Sequence, residues 1–79
     1  MILIYPNPVT DNCSITNNST ISIQPIFVYT IEGKLIWQNK MSIVPGTQLQ
    51  FPVNQFVKGI YILRCDTDQG SVFNALIKQ

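Results

Sequence analysis

The chain has 79 residues, of which 46% are hydrophobic and 11% are charged, with a net charge of +1. A chain of this length has room for one domain, and its low charge argues against a disordered tail. The basic residues are scattered rather than clustered, which argues against nucleic acid as a partner, and the apolar runs are too short to span a bilayer.

Short extended segments separated by turns follow one another along the chain, and helical periodicity is missing. The first segment ends at Pro6 and Pro8, which lack the amide hydrogen that a β-ladder needs. A longer stretch is interrupted at Pro25, so we expect pairing from Ile26 onward, and Pro52 predicts an edge strand. The predicted extended segments are residues 2–5, 12–16, 21–31, 34–39, 47–53, 60–66 and 71–78.

About seven short strands predict an all-β domain, an immunoglobulin-like antiparallel β-sandwich that occupies residues 1–79. Gly33 lies in a hairpin turn and Gly59 before a strand, where glycine permits a positive φ or a close approach. In the strand after Gly59, Tyr61 and Cys65 share the face opposite Arg64. We therefore expect Tyr61 to pack in the core.

The hairpin around Gly33 carries large apolar side chains on both faces of its strands. Whatever the register, one face enters the core and the other leaves apolar groups outside. Cover by a loop or by another copy of the chain is the interpretation that we favour. The other interpretation is a docking patch that contains Phe27, Tyr29 and Trp37.

The chain offers few groups for catalysis. It has no histidine, and acid–base or nucleophilic catalysis needs a base beside a second reactive group. Asp11 and Glu32 stand in turns, where carboxylates commonly bond backbone amides. Residues 66–70 lack the ligand spacing of an EF-hand loop, so a hairpin turn is the better interpretation. We expect no enzyme, no cofactor, no bound metal and no small-molecule substrate.

Cys13 and Cys65 both fall on the inward face of their predicted strands. A disulfide between them would join an early strand to a late one and stabilise the fold by about 4 kcal/mol in the entropic model. Free cysteine is also a common small core residue. Because the adjacency of the two strands is not known from the sequence, both interpretations stay open.

Residues at the chain ends and turns form an ordered array: Tyr5-Pro6-Asn7-Pro8, Asp11, Val28-Tyr29, Gly33-Lys34, Gly59-Ile60-Tyr61-Ile62-Leu63 and Lys78-Gln79. The array covers essentially the whole chain. It resembles the C-terminal sorting domain of the type IX secretion system (Por secretion system) of the Bacteroidetes. Two residues depart from the family's usual pattern: Ala75 where a basic residue is frequent, and Cys13 where leucine is more typical.

The resemblance implies a label at the C-terminus of a larger secreted cargo protein. The cargo would be exported, passing through the periplasm to the cell surface or the extracellular space. The outer-membrane translocon would recognise the domain, and a sortase-like peptidase would then remove it. By the resemblance, the sorting motif comprises Pro6, Asn7, Pro8, Gly33, Lys34, Gly59, Tyr61, Lys78 and Gln79.

The two ends of this motif suggest separate roles. The prolines fix φ and give the fold a rigid start. The end at Lys78 and Gln79 is expected to be free, so that a receptor can hold it by strand addition or carboxylate capture. The alternative function is a small, non-catalytic carbohydrate- or protein-binding module of a surface enzyme or adhesin, with exposed rings such as Trp37, Tyr29 or Phe27 as stacking platforms.

Overall fold

Two antiparallel sheets pack face to face in a sandwich, as predicted. The computed structural model describes residues 2–79, which contain no helix and hence none that could cross a membrane. The strands are β1 (Ile2–Tyr5), β2 (Asn12–Asn17), β3 (Ile26–Thr30), β4 (Leu35–Asn39), β5 (Gln48–Pro52), β6 (Gly59–Thr67) and β7 (Gly70–Lys78).

The smaller sheet has the order β1-β2-β5 and the larger sheet the order β4-β3-β6-β7. Pro52 lies at the end of β5, an edge strand, which confirms the edge position predicted for it. Between β1 and β2, which both belong to the smaller sheet, the chain passes beside the larger sheet, where Val9 forms a parallel bridge with Lys78. The last strand, β7, is an edge strand of the larger sheet.

The core lies between the sheets and follows the two-residue period of the strands. In β6 the side chains of Tyr61, Leu63 and Cys65 are buried, which confirms the inward face predicted for this strand. Trp37 of the larger sheet stacks on Phe51 of the smaller sheet, with ring centroids 4.2 Å apart. The buried hydrophobic residues are Val9, Cys13, Ile15, Ile23, Ile26, Val28, Ile43, Phe51, Val53, Tyr61, Leu63, Cys65 and Leu76.

The segment from residue 17 to residue 25 differs most from the sequence-based expectation. Strand β3 begins at Ile26, as expected after Pro25, and upstream of it Ile23 forms an isolated bridge with Ile43 instead of a longer strand. Asn17, which lies just after the predicted extended segment 12–16, ends β2 and is fully buried. Its Nδ2 donates to the carbonyl oxygens of Ile21 at 2.8 Å and Ile43 at 2.7 Å. The buried carboxamide of Asn17 thus holds two loops together through their carbonyl oxygens. The preference of asparagine for turns does not reveal this role in the sequence.

Both motif glycines have a positive φ, +94° at Gly33 and +150° at Gly59. The amide of Gly33 donates to the carbonyl of Thr30 at 2.9 Å and closes the β3–β4 turn. Apart from the glycine and its two chain neighbours, no atom of residues 2–79 lies within 4 Å of the place that a Cβ would take at either glycine. Backbone conformation, rather than a close approach, therefore favours glycine at these positions.

Candidate functional site

The two ends of the sorting motif meet at the edge of β7. Asn7 extends its side chain from between Pro6 and Pro8. Its Nδ2 donates to the carbonyl oxygen of Ala75 and its Oδ1 accepts the amide hydrogen of Ile77, each at 2.9 Å. A carboxamide has the same donor and acceptor as a peptide group. Asn7 therefore bonds β7 much as one residue of a neighbouring strand would.

Val9 continues this contact through its backbone. Its amide donates to the carbonyl of Ile77 at 2.8 Å, and its carbonyl accepts the amide of Gln79 at 2.9 Å. The Val9 side chain is fully buried, so the core holds the segment in place. Asn7 and Val9 together close the edge of β7 from Ala75 to Gln79.

This closure bears on two expectations from the sequence. The prediction that the end at Lys78 and Gln79 is free for strand addition was wrong for its backbone edge, because Val9 and Asn7 already occupy that edge. The two motif ends, to which the sequence analysis assigned separate roles, form one hydrogen-bonded unit. Hydrogen bonds between residues at opposite chain ends leave no local pattern in the sequence.

The side chains at the chain end differ in exposure. Lys78 is half-buried, and its Nζ donates to the backbone oxygen of Gln79 at 2.9 Å, whereas the Gln79 side chain is exposed. Gly59 pairs with Lys78 across the β6–β7 ladder. Six motif residues thus gather at the joined chain ends: Pro6, Asn7, Pro8, Gly59, Lys78 and Gln79.

The other motif residues lie around the β3–β4 turn. Lys34 and Tyr61 line an open groove of about 650 Å³ at the end of the sandwich, together with Trp37 and Phe56. The Tyr61 ring is buried, as expected, and its hydroxyl donates to the carbonyl oxygen of Val57. The structure therefore brings the sorting motif together in two places rather than one.

The three rings of the alternative docking patch do not lie on one surface. Trp37 pairs directly with Val28, and both face the core. Phe27 and Tyr29 alternate with Val28 and lie on the outer face, half-buried. Trp37 therefore cannot share a patch with the other two rings, and its stacking on Phe51 uses one face of the indole.

A wider apolar surface covers the outer face of the larger sheet, which the sequence analysis missed. Ile60 is 54% exposed and Phe73 is 62% exposed. Exposed Ile77 adjoins Ile60 in the β6–β7 ladder. The signal was present in β7, where Val72-Phe73 and Leu76-Ile77 are apolar on both faces.

An ion pair between Arg64 and Asp66 stands within this surface. The guanidinium of Arg64 lies 5.2 Å from the centroid of the Phe27 ring, and its Nε donates to Oδ1 of Asp66 at 2.7 Å. Ser71 donates a second hydrogen bond to the same oxygen at 2.6 Å. The hydrogen bond from Arg64, and to a smaller extent that from Ser71, holds the pKa of Asp66 below its ordinary value.

Cys13 and Cys65 are fully buried free thiols on strands of opposite sheets. Burial, with a smaller contribution from Cys65, raises the pKa of Cys13 to about 11. Burial, with a smaller contribution from Asp66, raises the pKa of Cys65 to about 11. Both thiols are protonated near neutral pH, a state that disfavours nucleophilic attack and metal ligation. Within residues 2–79, no three His, Cys, Asp or Glu side chains are grouped as metal ligands would be.

Comparison with known proteins agrees with the geometry. A search of curated proteins found no match. A family model described as "Secretion system C-terminal sorting domain" matches residues 3–79, which include Asn7, Val9 and all of β7. A sorting signal is not a catalytic family. With nearly its whole length matched, this chain belongs to the C-terminal sorting domains that serve as the signal for type IX secretion.

Proposed function

We propose that this domain delivers a cargo, covalently attached on its N-terminal side, to components of the type IX translocon, and that a sortase-like peptidase then removes the domain. The cargo passes through the periplasm and ends at the cell surface or in the extracellular space. Family membership supports export of an attached cargo by this secretion system. We propose in addition the removal of the domain by a peptidase, its contacts with the translocon and the route of the cargo.

The observation that carries the proposal is the bonding of Asn7 to Ala75 and Ile77. The motif ends lie far apart in the chain and come together only when the sandwich has folded. A receptor that contacts both ends therefore distinguishes a folded signal from an unfolded one. We propose the joined chain ends, with exposed Gln79 at their tip, as the surface that the translocon reads.

A fusion of residues 1–79 to a periplasm-targeted reporter, in a host with type IX secretion, tests the proposal. We expect the reporter to reach the surface, where added protease cleaves it in intact cells. Deletion of residues 76–79 removes the buried Leu76 as well as the chain end, so display should be lost. A reporter that stays in the periplasm with the intact domain contradicts the proposal.

A finer pair of variants tests whether display depends on the two hydrogen bonds of Asn7. Asn7→Ala removes both hydrogen bonds to β7 and should reduce display. Asn54→Ala is the matched control, because Asn54 is an exposed loop residue whose side chain forms no hydrogen bond within residues 2–79. Equal display by the two variants would show that the translocon does not depend on the joined ends.

A further inference from the structure

The edge of β7 is divided into a closed part and an open part. Backbone groups of Ala75 and Ile77 point away from β6 toward Asn7 and Val9. In an antiparallel strand the backbone amide and carbonyl groups of every second residue point to the same side. Those of Ser71 and Phe73, like those of Ala75 and Ile77, therefore point away from β6. There β7 is the edge of its sheet, with no neighbouring strand within residues 2–79.

Apolar side chains flank this open edge on both faces. On the outer face Phe73 is 62% exposed. On the other face Val72, which is 41% exposed, lines a groove of about 440 Å³ together with Ile2 and Ile21. Proteins that bind a partner by β-strand addition present an open edge of this kind beside exposed apolar side chains. Other proteins cover or block such edges, because they promote aggregation.

We propose that the edge of β7 from Ser71 to Ala75 binds a short, extended, uncharged segment of a partner polypeptide by strand addition, and that Asn7 determines where the added strand ends. The closed half supports this occupant, because Asn7 and Val9 of the chain itself already bind the same edge through strand-like hydrogen bonds. Their presence stops an added strand at Ala75. The inference rests on the proposed function for its partner, which would be a component of the secretion machinery.

The first test needs only the domain, residues 1–79, and a capped pentapeptide of alternating valine and threonine. In NMR titrations the peptide should shift the amide signals of Ser71 and Phe73. A second peptide with proline at its centre should not, because it lacks the central amide hydrogen. Binding should be about fivefold tighter to Asn7→Ala, which frees the Ala75 carbonyl and the Ile77 amide for a longer strand. Asn54→Ala should bind as the unaltered domain does.

Other outcomes of this titration overturn the proposal. If the peptide shifts amide signals only on another surface, or binds neither the unaltered domain nor Asn7→Ala, the domain has no strand-addition site at this edge. Equal affinities of Asn7→Ala and Asn54→Ala remove the role of Asn7 as a stop. Self-association of the domain through this edge would identify a second copy of the chain as the occupant, in place of a partner segment.

The second test uses the reporter fusion with Phe73→Pro and Phe73→Thr. Proline at this position removes an amide that points away from β6, so the β6–β7 ladder should remain, with the Val72 and Asn74 amides protected from hydrogen exchange. Threonine removes the ring but keeps the amide. We expect Phe73→Pro to lose most surface display and Phe73→Thr to retain more of it.

The two proposals fail differently. If Phe73→Pro is folded and displayed as well as the unaltered domain, strand addition is overturned while the sorting function stands. If even the unaltered fusion is not displayed, the proposed function fails, and the peptide titration still decides whether the edge binds a strand. The same titration decides the question if Phe73→Pro does not fold.

Discussion

At the scale of single residues, Asn7 shows how one side chain can replace part of a strand. Its carboxamide supplies one donor and one acceptor, and β7 offers a carbonyl and an amide at matching positions. The flanking Pro6 and Pro8 have no amide hydrogen. An Asn7 between two prolines therefore satisfies backbone groups at a sheet edge that would otherwise be left to solvent.

Replacing Asn7 with alanine should lower the free energy of unfolding by about 1–2 kcal/mol, because two hydrogen bonds are lost at a partly solvated edge. Urea denaturation measures this loss, and hydrogen exchange at the Ile77 amide should become faster. Asn54→Ala should change stability by less than about 0.5 kcal/mol. If the Ile77 amide keeps its protection in Asn7→Ala, the side chain does not hold this edge in solution.

At Gly33 the backbone conformation by itself determines how much a substitution destabilises the domain. Gly33→Ala should destabilise the domain by about 1–2 kcal/mol, because a Cβ disfavours the positive φ of this turn. In a domain of this size each kcal/mol lowers Tm by about 4–8 °C. Gly33→Asn should cost less, since asparagine tolerates the left-handed region better. Thermal unfolding that ranks asparagine below alanine would contradict this explanation.

At the scale of strands, alternation decides which large side chains support the core. Val28 and Trp37 face inward, whereas Phe27 faces outward beneath the guanidinium of Arg64. Runs that are apolar on both faces hide this difference in the sequence. The inter-sheet contact of Trp37 with Phe51, like the burial of Val28, shows which face is covered.

Trp37→Ala should therefore destabilise the domain by about 3 kcal/mol, because it removes a large ring packed against the core and its stacking with Phe51. Phe27→Ala is the matched variant on the outer face. It should cost about 1 kcal/mol, from partial burial and the contact with Arg64. Urea denaturation of both variants tests the assignment, and equal losses would show that the two rings are buried alike.

At the scale of the whole molecule, the sandwich places Cys13 and Cys65 on opposing sheets in one core. Both thiols should resist a thiol reagent at pH 8 in the native domain and react once urea unfolds it, because burial raises each pKa. Rapid labelling of the native domain would contradict their burial. Formation of a disulfide between them in an oxidising compartment stays a prediction, which mass spectrometry of domain purified from the periplasm can decide.

The same pKa shifts predict a dependence of stability on pH. In the unfolded chain the thiols ionise near their ordinary value of 9.0, whereas in the folded domain they ionise near 11. The unfolded state therefore loses protons first, and stability should fall as pH rises from about 9 to about 11. A variant with alanine at both positions should show a smaller fall in its urea midpoint over this range. Identical falls would show that the two thiols do not cause the effect.

Much of the fold was predictable from local patterns. Seven strands, the edge position of Pro52, the positive φ of Gly33 and the inward faces of Cys13 and Cys65 all follow from alternation and turn chemistry. The candidate site was predictable only in part. Its motif residues were named by resemblance, but the bonding of Asn7 to the last strand was missed, and the face on which Trp37 lies was left undecided.

The sequence by itself determined the class of the fold, its approximate strand boundaries and, through an array of prolines, glycines and end residues, the family. These properties depend on neighbouring residues, whose backbone preferences and period-2 patterns are visible along the chain. The tertiary structure alone decided that Asn7 and Val9 close half of the β7 edge and leave Ser71 and Phe73 open. That division depends on hydrogen bonds between opposite ends of the chain, which exist only when both sheets are in place.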